Sequence, residues 1–224
     1  MIATERRRLG ALVVAAGLAG ATACGSNAGG EGADEGTGVH PELGPRSTAA
    51  APPATFHATV TPTKTAVEVS YTLTNRSDGP LYVVNRVPVA AGAGVRYRSS
   101  HAFATAGPGD RVVLSQALFD QPGESCSMAW SAPHPIGVTK VAPGASTTAR
   151  VAVSLPLRFD HPYGDEFCDG PEQLPAEPAG VEFCLGVIAD DPDLEKQVGD
   201  TSPLLVTHEA HWPQHLFCSD DVDL

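Results

Sequence analysis

Cationic side chains are scarce in this chain. Its 224 residues hold 14 Lys and Arg against 26 Asp and Glu, a formal charge of −12 at pH 7. A surface this acidic is repelled by phosphate backbones and anionic headgroups, so nucleic acid is not an expected partner. Methionine is nearly absent, with two residues in all, which leaves little for a thioether-based copper carrier. No apolar run reaches the ~18–20 residues that a membrane-spanning helix needs. The strand-to-helix nucleophile motif G-x-S-x-G is missing, as are H-E-x-x-H and the alternating D-x-D-x-D-G of a helix-loop-helix calcium site. These absences argue against an enzyme and against a resident cofactor.

The N-terminus has the pattern expected of an export signal. Arg6, Arg7 and Arg8 form a basic region, followed by the apolar stretch Leu9 to Ala23 and then Cys24. The closing residues Ala21-Thr22-Ala23-Cys24 resemble the lipobox of bacterial lipoproteins. That resemblance implies cleavage before Cys24 and diacylglyceryl transfer to its sulfur. Ala21 stands where the family prefers Leu, and Ala21-Thr22-Ala23 also satisfies the A-x-A rule for ordinary secretion. Cysteine arithmetic favours lipidation. Of five cysteines, using Cys24 as the anchor leaves Cys126, Cys168, Cys184 and Cys218, an even set suited to an oxidising compartment. The expectation is a signal peptide over 1–23 and a lipid bilayer as the partner of Cys24. Such a chain sits at the extracytoplasmic face of the cell membrane, with secretion as the alternative. Residues 24–54 are rich in Gly, Ala, Pro and acidic residues without apolar periodicity, a composition that reads as a disordered tether.

Removing 1–23 takes away three Arg and one Glu, leaving 11 basic against 25 acidic side chains and a charge of −14. The remaining 55–224 has the length of one domain with a sizeable core. Its clearest pattern is "TAVEVSYTLTN", in which Val67, Val69, Tyr71 and Leu73 alternate with polar residues, the period of a half-buried strand. The turn cluster "NRSDGP" and the run "LYVVNRV" follow, which predicts an antiparallel hairpin. Further short runs ("TFHATVT", "VRYR", "RVVLSQAL", "IGVTKV", "TARVAVSLP", "VEFCLGVI", "PLLVTHEA") are split by Gly/Pro turns. Seven to nine short strands without a long amphipathic helix predict an all-β sandwich. "YTLTNRSDGPLYVVN" and "VAPGASTTARVAVSLP" resemble parts of bacterial immunoglobulin-like domains, which implies an immunoglobulin-like antiparallel sandwich and transfers no functional residue.

Two disulfides are expected, Cys168–Cys184 and Cys126–Cys218, the first stapling the loop from Phe159 to Gly180 and the second tying down the tail. The candidate chemistry is sparse. His208, His211 and His215 in "THEAHWPQH" could together ligate a metal, although Pro213 and strand alternation work against convergence, and exposed positions are the expectation. His134 and His161 sit in Pro-rich loops, where a ring more often bonds to backbone. Asp160, Asp165, Glu166 and Asp169 offer oxygen ligands without a calcium-loop pattern. The reading is a non-catalytic, membrane-anchored module that binds a protein or envelope component or serves a structural role. Metal delivery through the C-terminal histidines is the alternative.

Overall fold

The computed structural model describes Leu43 and residues 47–121, 133–164, 166–167, 170–171, 173–189, 191, 194, 204–208 and 213–224. Cys24, Cys126, Cys168 and His211 lie outside the described residues, as does most of 24–54. Among the described residues there are fourteen strands: β1 (Ala54–Pro62), β2 (Ala66–Asn75), β3 (Leu81–Ala91), β4 (Gly94–Arg98), β5 (Phe103–Ala106), β6 (Arg111–Gln116) and β7 (Ile136–Val141). They continue with β8 (Ser146–Ser154), β9 (Glu166–Phe167), β10 (Gly170–Pro171), β11 (Gly180–Ile188), β12 (Leu204–Val206), β13 (Gln214–Cys218) and β14 (Val222–Asp223).

The alternation in β2 has the expected result. Val67, Val69, Tyr71 and Leu73 are all buried, and they form one wall of a core between two sheets. The smaller sheet runs β1-β2-β8, antiparallel throughout. Its other face is polar and open, with His57, Thr59, Glu68, Ser70, Thr148 and Arg150 exposed. The larger sheet runs β12-β7-β3-β11-β6-β5, with β13 and β14 on the free flank of β11 and β4 folded back on β3. Its central strands β11 and β6 are buried on both faces. On β11, Val181, Phe183, Leu185 and Val187 join the core between the sheets. Cys184 and Ile188 face a second apolar layer that includes Leu43, Phe119, Leu194 and Val206. A strand packed on both sides reads as a continuous apolar run, as "VEFCLGVI" does. The fold is therefore an all-β sandwich whose larger sheet carries an outer layer of loop segments.

Two expectations are corrected here. β2 and β3 follow one another in sequence but do not form a hairpin; β2 pairs with β1 and β8, and β3 with β4, β7 and β11. Asn75 sits at the crossing. It is fully buried; its Nδ2 donates to Gly79 O at 2.8 Å and Val141 O at 2.9 Å, while its Oδ1 accepts from the Ser77 N–H and hydroxyl. That turn lifts the chain from one sheet to the other. The second correction concerns the N-terminal edge of the domain. Leu43 is buried and bridges to Phe119, the Ser47 N–H donates to Gln214 O at 2.9 Å, and the Arg76 N–H donates to Pro53 O at 2.9 Å. The domain's packing thus begins before Thr55.

Polar side chains hold the layers together. Tyr71 donates its hydroxyl to Gln116 Oε1 at 2.8 Å across the core, and Gln116 Nε2 donates onward to Ser99 O at 3.0 Å and His101 O at 2.6 Å. On the outer face, Gln214 clamps the backbone of Leu118 from both sides, accepting its N–H at 2.9 Å and donating to its C=O at 2.8 Å. That clamp lies over Gly186. A Cβ at Gly186 would strike Gln214 Oε1 and come within 3.1 Å of Ala117 Cα. Gly186→Ala should therefore cost about 2–3 kcal/mol by overpacking and loss of the clamp. Thr148→Ala on the exposed face should stay within about 0.5 kcal/mol. Denaturant titration of the two variants checks the contrast; equal midpoints would contradict the packing at Gly186.

Candidate functional site

Cys184 bonds to Cys218, not to Cys168. The two residues are register partners on β11 and β13, with Cα atoms 4.1 Å apart, the close approach of a non-hydrogen-bonded antiparallel pair. Both expected pairings, Cys168–Cys184 and Cys126–Cys218, are thereby corrected, because each used one of these partners. Choosing pairs by loop length failed because pairing follows strand register, and β13 was not recognised as a strand. Cys184 is fully buried, whereas Cys218 is partly buried.

His208 and His215 are not exposed, against expectation. His208 is 1% and His215 4% accessible. His215 alternates with Leu216 and shares the face of β13 that carries Phe217 into the inter-sheet core. His208 instead lies in the outer layer, its ring 6.1 Å from Phe103 and 6.0 Å from Phe119. The two rings thus serve opposite faces of the larger sheet. His208 Nδ1 accepts the Phe119 N–H at 3.2 Å, which places the ring proton on Nε2. That Nε2 has no hydrogen-bond partner among the described residues.

His161 belongs to the same aromatic group. It packs edge-on against Phe119 at 4.6 Å and lies 5.8 Å from Tyr163, and its Nδ1 accepts the Tyr163 N–H at 3.2 Å. Burial pushes its pKa down to about 4, with the Asp160 carboxylate opposing the shift. Burial likewise pushes His208 down to about 3, helped by the neighbouring His161. Both rings are neutral near pH 7, and both have the Nδ1 lone pair committed to a backbone N–H.

Beside this group is a cleft of about 390 Å³ between the turn of the β3–β4 hairpin and residues 160–162, with His134, Asp160, His161, Phe103 and Val95 among its lining. A second hollow of about 570 Å³ lies on the other side of Asp160, against the end of β8 and Arg158. The segment between them is held by reciprocal backbone bonds of Asp160 with Ala104 at 2.9 and 3.0 Å, which extend the β5 edge by one residue. Asp160 Oδ2 also pairs with His101 Nε2 at 3.1 Å. Of the calcium candidates, only the Asp160 side chain lies among the described residues. Its carboxylate is engaged by His101. The cleft, with one carboxylate and two imidazoles over apolar walls, can orient a small polar group. In the sequence, His101 and Phe103 carried no signal that would place them beside Asp160, 59 residues away for His101.

The buried imidazoles make stability depend on pH in a fixed direction. A free imidazole titrates near 6.5, so below about pH 6.5 the unfolded chain takes up protons that His161 and His208 refuse in the fold. The stabilisation is complete above that value and is lost as the pH falls toward about 4 for His161 and about 3 for His208. His208→Asn keeps an acceptor for the Phe119 N–H but does not titrate. Its melting temperature should fall less than that of the wild type from about pH 7.5 to about pH 4.5. Parallel melting profiles would contradict a neutral, buried His208.

Peptide mapping of non-reduced protein should recover Cys184 joined to Cys218; Cys126 and Cys168 then remain as each other's only partner if all four are oxidised. A Cys168–Cys184 peptide would overturn the register.

Comparison with protein-family models, with curated proteins and with solved structures returns no match to this chain.

Proposed function

We propose that the chain is an exported, lipid-anchored, non-catalytic module of the cell envelope, an immunoglobulin-like sandwich that presents a binding cleft outside the cytoplasm. The observation that carries this reading is the disulfide between Cys184 and Cys218. Disulfides persist in exported chains and are rare in reducing compartments, and this chain opens with a basic, then apolar segment ending on Cys24. Leu43 is already seated on the domain, 19 positions after Cys24.

The non-catalytic part of the reading is supported by the commitments of the imidazoles. A general base needs a free lone pair near the proton it removes. His161 and His208 have theirs directed at the Tyr163 and Phe119 amides. The cleft beside His134 and His161 is instead suited to holding a small polar group of a protein or envelope polymer.

Mass spectrometry of the mature N-terminus tests the anchor. A diacylglyceryl-modified Cys24 and partition into the detergent phase are expected. Cys24→Ser should remain unprocessed or move to the aqueous phase, because the acyl chains supply ~0.8 kcal/mol per buried CH₂. An unmodified Cys24 in the mature protein would remove the membrane from this reading and leave secretion.

A further inference from the structure

Glu182, Cys184 and Cys218 form a group that neither the cleft nor the anchor uses. Glu182 and Cys184 are two apart on β11 and so share a face, and Cys218 is opposite Cys184 on β13. The Glu182 carboxylate oxygen lies 3.8 Å from Cys184 Sγ. One ligand atom from each of the three residues lies within 4.8 Å of the other two, and no other such group of His, Cys, Asp or Glu occurs among the described residues.

We propose that reducing this disulfide converts the three side chains into a binding site for a thiophilic divalent metal of the zinc class, so that the cross-strand bond is the closed form of a thiol-gated metal site. Tetrahedral zinc with sulfur at ~2.3 Å and oxygen at ~2.0–2.2 Å places its ligand atoms roughly 3.5–3.8 Å apart. Three atoms already within 4.8 Å reach that geometry with side-chain shifts of about 1 Å, once the sulfurs are no longer bonded. Two thiolates and a carboxylate carry three negative charges against two on the metal, and soft sulfur donors select zinc over magnesium or calcium. The exposed Asp220 that follows Cys218 raises the local cation concentration. Zinc would have three protein ligands, with the fourth position open to water on the accessible side of Cys218.

The chemistry balances with a dithiol as reductant. One thiolate of the dithiol attacks the more accessible sulfur, Cys218 Sγ; the S–S bond breaks and its electron pair leaves on Cys184 Sγ. The second thiol of the reductant then attacks the mixed disulfide, releasing Cys218 and the oxidised cyclic disulfide. The chain has gained two electrons and two protons. Metal binding to the dithiol releases those two protons as both sulfurs become thiolates.

The experiment uses the full chain, reduced with a phosphine, desalted without oxygen and titrated with Zn²⁺ or with Co²⁺ as a spectroscopic probe. Iodoacetamide labelling then reports each cysteine separately by mass spectrometry. The reduced chain should take one equivalent of zinc that shields Cys184 and Cys218 together, show a sulfur-to-cobalt charge-transfer band, and melt at a higher temperature with zinc than without. Oxidised protein should bind none at this site. Glu182→Gln should weaken zinc binding by more than about tenfold while leaving the disulfide able to form. The proposal is overturned if the reduced chain binds no zinc or if zinc shields only Cys24, Cys126 or Cys168. It also fails if Glu182→Gln binds as the wild type does. Should the reduced chain lose its near-UV dichroism, failure of zinc to restore it would likewise overturn the site.

Discussion

Every residue of β11 from Gly180 to Ile188 is buried, and hydrogen-bonded strands run along both of its edges. β6 and then β3 occupy one edge, and β13 and β14 the other. A strand so confined has no solvated face, so each side chain must satisfy one of two apolar layers. The odd positions Val181, Phe183, Leu185 and Val187 complete the core against the smaller sheet, where Tyr71 stacks on Phe183 at 5.4 Å. The even positions support the outer layer. Since the side-chain period of a strand is two, a slip of one residue would exchange the two layers and move Glu182 into the inter-sheet core. The register of β11 is therefore strongly specified, and the pairing of Cys184 with Cys218 follows from it.

Covering a sheet with loops has a cost that the structure meets with specific polar residues. Loop backbone in an apolar layer carries N–H and C=O groups that strands would otherwise pair. Gln214 satisfies both backbone groups of Leu118, His208 accepts from Phe119, and His161 accepts from Tyr163. These residues look functional in sequence because they are polar and chemically versatile. In the fold their geometry serves the backbone. The low pKa values of His161 and His208 are a consequence of that role, since a ring enclosed by Phe103, Phe119 and Tyr163 cannot hold a charge cheaply.

The two places with chemistry to offer differ in character. The cleft by His134 and Asp160 is formed from a hairpin turn and a Pro-containing segment, elements that vary in side chain without disturbing the core. The group of Glu182, Cys184 and Cys218 is built into the central strand and its neighbour. A site on rigid strands holds its ligand atoms with little conformational freedom, whereas the cleft can adjust to its occupant.

The strands with clear periodicity were legible from the amino-acid order. The alternation in β2 and β8 and the continuous run of β11 state their burial directly, because strand period and two-sided packing impose those patterns. The all-β class followed from them and from the Gly/Pro turns. The net charge is likewise a summed property that needs no fold. Sheet membership was not local. Whether β2 pairs with β3 depended on where the Asn75 side chain finds its carbonyl partners, one of them 66 residues away. β13 was hidden by its own composition, since "QHLFC" places Gln214 and His215 in buried positions that read as exposed loop. Without β13 no cysteine register could be drawn, and loop length suggested the wrong partners. The amino-acid order marked the segments of regular periodicity as strands. Only tertiary structure decided which polar side chains are enclosed, because that depends on what packs over each strand from distant parts of the chain.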